Sequence, residues 1–157
     1  MPVYQAWMRI VDGLGSARIA GRGRRTLVWT SHRIGLSAMT EAHAIGSVVV
    51  LVAASIFFAF ALYSARTGAH SGILMRLRIG VVGITAAQLA LGALLYANGE
   101  RPAESLHILY GVVALAAIPL AATFAFEAPP KARAGALAAG AGLMLAMIWR
   151  LWVTGGG

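Results

Sequence analysis

The stretch Ala44–Tyr63 reads AIGSVVVLVAASIFFAFALY, twenty residues without a formal charge. A helix needs about 20 apolar residues to cross the hydrocarbon core of a bilayer. Three further blocks of that kind follow it, Ile79–Ala97, Leu106–Phe126 and Ala134–Val153. Only the fourth carries a charge, Arg150, near its end. Backbone polar groups cannot go unpaired in lipid, which assigns all four blocks to helices; barrel strands would be half as long and would alternate. The expected fold is therefore an all-α integral membrane protein, an up-down-up-down four-transmembrane-helix bundle in which short links make sequential neighbours antiparallel.

Composition points the same way. The 157 residues are 59% hydrophobic and 11% charged, with a mean hydropathy of +0.77, against about 45–50% apolar and roughly 25% charged in a soluble domain. There is no cysteine, which excludes disulfides, thiolate metal sites, iron–sulfur clusters and covalently attached c-type haem. Any metal or cofactor must be held by histidine, methionine or oxygen. The net charge of +8 does not call for nucleic acid. Six of the 13 basic residues (Arg9, Arg18, Arg22, Arg24, Arg25 and Arg33) fall in the first forty positions and most others lie between apolar blocks, where anionic lipid headgroups favour them.

Two units are expected: residues 1–40, a basic N-terminal segment, and residues 41–157, the transmembrane domain. In the first, Tyr4, Trp7, Met8 and Val11 share one helical face, the pattern of a short helix lying on the membrane surface. Gly21-Arg22-Gly23-Arg24-Arg25 reads as a flexible basic link, and a partly disordered tail is the equal alternative. Asn98-Gly99 is a helix stop, Pro102 suits the first turn of the next helix, and Pro129-Pro130 cannot continue one. The links after the first and third helices hold five Lys/Arg (Arg66, Arg76, Arg78, Lys131 and Arg133); the link after the second holds only Arg101. Counted by links, the first and third are cytoplasmic; the arginines of the N-terminal segment argue the reverse.

Chemistry centres on two histidines. His43 opens the first helix and His107 the third, and these run in the same direction, so both imidazoles lie at one membrane depth. In a square bundle the two helices are diagonal neighbours, and imidazoles facing across a bundle interior are what a six-coordinate b-type haem requires. Gly46 and Gly111 lie three and four residues beyond the histidines, on the same faces, and offer room for a macrocycle edge. Arg150 returns to that depth on the fourth helix and Arg101 lies in the loop above; arginine is the forked partner for propionate carboxylates. Against this, histidines near helix ends also serve as interfacial hydrogen-bonding residues with no cofactor, Arg150 can snorkel to headgroups, and glycines serve close packing, as Ala138/Gly142 suggests. Gln88 sits mid-helix and is expected to tie helices together; Pro119 is expected to kink the third helix. His32 and His70 are expected to be solvated, and Trp149 and Trp152 to join an interfacial aromatic belt. Neither a phosphate loop nor a nucleophile–base pair, paired carboxylates or a zinc motif is present, which disfavours hydrolase and nucleotide chemistry.

Glu41-Ala42-His43 ahead of an apolar helix, Gln88-Leu89-Ala90-Leu91-Gly92-Ala93-Leu94-Leu95-Tyr96 in the second, and Leu106-His107-Ile108-Leu109-Tyr110-Gly111 opening the third resemble one half-repeat of the haem A synthase family, over about half the chain. The resemblance implies that His43 and His107 are the axial pair and that Glu41 takes the place of the acidic residue beside the reacting haem methyl. It departs from the family in three ways. The region before His43 is polar and basic rather than a membrane helix, the extra helix comes last, and Glu41 stands two residues before the histidine rather than three.

The expected function is that of a four-helix membrane cytochrome binding haem b (haem O or A on the literal resemblance) between His43 and His107. It would transfer electrons with quinone or a larger respiratory or photosynthetic assembly, from a multi-pass position in the cell membrane. Whether it is an enzyme, a haem-dependent oxidoreductase, stays open. So does a homo-oligomer sharing the site. The rival is a cofactor-free accessory subunit holding a respiratory or photosynthetic membrane complex together through lipid and helix contacts.

Overall fold

A computed structural model describes residues 25–154 except His70 and Ala103. The expectations for Tyr4–Val11, for the basic link before Arg25 and for the side chains of His32 and His70 lie outside the described residues. Four helices make up the described chain: α1 (Arg25–Thr67), α2 (Ser71–Ala97), α3 (Leu106–Phe124) and α4 (Pro130–Thr154). Each has a segment long and apolar enough to cross a membrane, of 33, 26, 19 and 25 residues in chain order. Ser64 Oγ, near the end of α1, is buried without a hydrogen-bond partner among the described residues, but other hydroxyls stay inside their helix. Ser47, Ser55, Thr85 and Thr123 each donate to the carbonyl four residues back, at 2.8–3.0 Å, which satisfies a polar group without any outside partner.

The ends follow local chemistry. At the end of α1, Gly68 takes a left-handed φ of 77° and its N–H donates to the Ser64 carbonyl at 2.8 Å. Asn98-Gly99 stops α2 as expected: Gly99, with φ 98°, donates to the Tyr96 carbonyl while Glu100 donates to that of Leu95, the paired bonds of a Schellman cap. Pro102 does not enter the next helix. It lies four residues ahead of α3, whose first residue is Leu106, because a turn at Glu104-Ser105 intervenes and the His107 N–H is bonded to the Glu104 carbonyl. Pro130 opens α4, where a missing N–H costs nothing. The Arg133 guanidinium then folds back to donate to the carbonyls of Ala125, Phe126 and Ala128, closing the C-terminal end of α3.

Packing is uneven around the bundle. α4 is held closely by both α1 and α3, α1 lies against α2, α2 meets α3 more loosely, and α1 and α3 stand on the long diagonal. Small residues make the tight seams, with Ala54, Ala61, Ala114, Ala117, Ala138 and Ala141 buried around Phe57, Ile118 and Met144. The closest approach is at Gly140. A Cβ there would stand 2.7 Å from the Ala121 Cβ and 2.8 Å from the Ala117 carbonyl oxygen, whereas one at Gly142 would make ordinary contact with Phe58. The small-residue seam anticipated at Ala138/Gly142 is therefore centred between them, on Gly140. Outward faces carry large apolar residues such as Ile45, Val52, Ile56, Leu109, Leu120, Phe124 and Trp149, an exposure far above what soluble monomers tolerate.

α1 runs for 43 residues, about 65 Å at 1.5 Å per residue. It passes through residue 40 without a break, so its first four turns continue the same helix that carries the apolar segment.

Candidate site at the histidine end

The register of the helices sets the site. His43 meets Gly92, Gln88 meets Gly46, and Leu89 meets Gly111. Because α2 runs against both α1 and α3, His107, one turn before Gly111, comes level with Ala93, one residue from Gly92. Both imidazoles are thus at one depth on diagonal helices, each half-buried. The Nδ1 atom of His107 is buried and has no hydrogen-bond partner among the described residues. Buried polar atoms are almost always paired, so this nitrogen stands out.

His43 is held differently. The Gln88 amide nitrogen lies 2.6 Å from the His43 carbonyl oxygen, 3.1 Å from Ser47 Oγ and 3.0 Å from His43 Nδ1. Ser47 Oγ spends its own hydrogen on the His43 carbonyl, at 2.8 Å. A carbonyl can only accept, which fixes the amide with its nitrogen inward. An amide nitrogen can only donate, so His43 Nδ1 must be the acceptor, and a neutral imidazole then carries its proton on Nε2. The space beside Gly46 is filled by the tip of Gln88, and a Cβ at Gly111 would meet Leu89 Cδ1 at 3.2 Å. Both glycines admit side chains of α2. A Cβ at Gly92 would stand 3.0 Å from His43 Cε1, so Gly92 is the seat of the imidazole.

The remaining expected residues sit around this centre. Arg150 reaches the same end from α4, its guanidinium 5.5 Å above the Tyr110 ring and 3.4 Å from the Tyr110 hydroxyl. Arg101 lies 4.0 Å over the Tyr96 ring. Glu41 is exposed and, two residues before His43, about 200° around the helix from it, since each residue turns about 100°. It is not brought into the cluster. Gln88 does tie helices together, as its lone position in apolar α2 suggests. Sequence reasoning does not find Ser47, Gly92 and Tyr110 as site residues. The signal for Gly92 is its spacing of four from Gln88, which puts both on the α1-facing side of α2. No group of three or more His, Cys, Asp or Glu side chains able to hold a metal ion occurs among the described residues.

Comparison with family models, with curated proteins and with solved structures finds no match for this chain.

Proposed function

We propose that the chain spans the cell membrane four times and is a b-type cytochrome, in which His43 and His107 would hold a haem at the histidine end. The observation that carries this reading is the pair itself: two half-buried imidazoles at one depth on diagonal helices, with His107 Nδ1 buried and, among the described residues, unpaired. Lipid is the medium that covers the large apolar residues on the outer faces. A haem held there would accept and release one electron at a time.

What the chain's own residues contribute can be stated separately. A histidine that ligates through Nε2 carries its proton on Nδ1 and donates it to a neighbouring acceptor. His107 has that nitrogen free of any partner among the described residues. His43 has it accepting from Gln88, so ligation requires the proton to move from Nε2 to Nδ1 and the Gln88 amide to turn away from the ring. That movement also vacates the space beside Gly46. Arg150 and Arg101 are the cations available to propionates at this end. The outward position of Glu41 favours electron exchange, with quinone or a larger respiratory or photosynthetic complex, over oxidation of a haem substituent.

The closed state of Gln88 favours a second reading, the cofactor-free accessory subunit, in which the amide only fastens α1 to α2. An absorption spectrum of the detergent-purified protein, oxidised and then dithionite-reduced, separates the two. The cytochrome gives a sharp reduced α-band that is lost in His43→Ala and in His107→Ala. A colourless wild-type protein with no extractable haem refutes it.

A further inference from the structure

At the opposite end of α2 the packing opens. A groove of about 580 Å³ runs between α2 and α3, lined among others by Arg78, Val82, Gly83, Pro119 and Phe126, within the range of about 300–1,000 Å³ usual for ligand sites. Its walls are apolar apart from Arg78 and Thr123, and the Thr123 hydroxyl is already spent on the Pro119 carbonyl. A Cβ at Gly80 or Gly83 would touch nothing within 4 Å, so the groove exists because this face of α2 has no partner. Arg78 is half-buried at its rim. Among the described residues it has neither a hydrogen-bond nor an ion-pair partner, while Arg133, on α4 at the same end, donates through Nε and Nη2 to three backbone carbonyls. An arginine whose stem lies along an apolar groove and whose head has no partner of its own offers that head to an anionic group at the membrane edge.

The charge around it says which anion. Arg66, Arg76, Arg78, Lys131 and Arg133 gather at this end with Glu127 as the one carboxylate among the residues of its two links. A basic pocket between membrane helices on the side favoured by the positive-inside rule is suited to an anionic lipid headgroup. We propose that this groove binds one anionic phospholipid, its phosphate on Arg78 at the end marked by Phe126 and an acyl chain laid inward along Val82, Gly83 and Pro119. The proposal rests on the membrane-spanning reading and is independent of the haem.

The test uses the full chain, purified in detergent and stripped of lipid, titrated with phosphatidylglycerol or with phosphatidylcholine and followed by thermal unfolding and native mass spectrometry. Phosphatidylglycerol binds saturably with one lipid per chain and phosphatidylcholine does not. Arg78→Gln weakens it roughly fivefold, the equivalent of about 1 kcal/mol for one basic contact, and Gly83→Leu blocks it by filling the groove. Arg76→Gln, two residues away and exposed, leaves it unchanged. Equal binding of both lipids overturns the proposal, as does an equal loss in the Arg76 and Arg78 variants, which would mark a diffuse basic surface. Displacement of the lipid by a short-chain quinone, with no dependence on Arg78, overturns it in favour of a quinone site. Full solubility of the chain without detergent or lipid refutes the membrane reading itself, a result distinct from all of these.

Discussion

α2 has two halves that use glycine in opposite ways. Towards its C-terminal end, Gly92 receives the His43 ring, and its neighbours Gln88 and Leu89 fill the spaces beside Gly46 and Gly111. Towards its N-terminal end, Gly80 and Gly83 face nothing and leave a groove edged by an arginine with no partner among the described residues. The same residue closes one end of the bundle and opens the other. What decides is whether an adjacent helix supplies a side chain to the notch. At the histidine end α1 supplies the His43 ring to Gly92, and α2 itself supplies Gln88 and Leu89 to the notches at Gly46 and Gly111; at the arginine end Pro119 and Thr123 of α3 leave the face uncovered. Meanwhile α4 locks α1 and α3 together and meets α2 only slightly.

The severest way to disturb that contrast is to break the seam on which both ends depend. Gly140→Leu places carbon against the α3 backbone at Ala117, which cannot rotate aside as a side chain could. We expect a destabilisation of about 1–3 kcal/mol or more from overpacking, seen as a large fall in the thermal midpoint in detergent. Gly142→Ala, facing only the edge of Phe58 at an ordinary distance, serves as the control and costs little. Equal effects would show that α3 and α4 are not in close contact at Gly140.

Gln88→Leu acts on the histidine end alone. It removes three polar contacts while keeping bulk, and interhelical hydrogen bonds in membranes are worth about 0.6 kcal/mol each on average and at most about 1.7. Stability is expected to fall by about 1 kcal/mol. Haem uptake is expected to rise, because the amide that holds His43 Nδ1 as an acceptor is gone. Reconstitution with haem at limiting concentration, wild type beside variant, measures this. Slower or weaker uptake would mean that Gln88 helps ligation rather than opposing it.

Much of this architecture is legible in the sequence, and the places where it is not share a cause. Long apolar runs mark all four helices, since a run of about 20 apolar residues is what a bilayer-crossing helix requires and is rare elsewhere. Hydropathy alone starts α1 and α2 too late, at Ala44 and Ile79. Thr40, Glu41, Arg76 and Arg78 interrupt hydropathy without interrupting a helix, whose backbone bonds are indifferent to a charge that reaches water or headgroups. The common depth of His43 and His107 follows from chain direction alone, and the register supports it. Which side chain touches which depends on how each helix is rotated about its axis. For that reason Gln88 is readable as a tie, but not as a tie to His43 Nδ1. The groove depends on the distance between α2 and α3, which no residue pattern within either helix records.

The Gly92 and Gly83 positions give a matched pair. Gly92→Ala brings a methyl to 3.0 Å from His43 Cε1, so the ring or the helix must shift by a few tenths of an ångström. A small loss of stability is expected, together with a changed reduced spectrum if haem is bound, since the ligand itself is displaced.

Gly83→Ala is the smallest change and the most telling about the open end. Its methyl meets nothing within 4 Å, and alanine is preferred to glycine inside a helix by roughly 0.5–1 kcal/mol. In lipid-free detergent the variant is therefore expected to be slightly more stable than wild type, with an unchanged haem spectrum. A single methyl only narrows the groove, so phosphatidylglycerol should still raise the thermal midpoint, by less than in wild type. Should Gly83→Ala destabilise the protein as Gly92→Ala does, the groove is closed in solution and α3 lies against Gly83. The contrast between the two halves of α2 would then be lost.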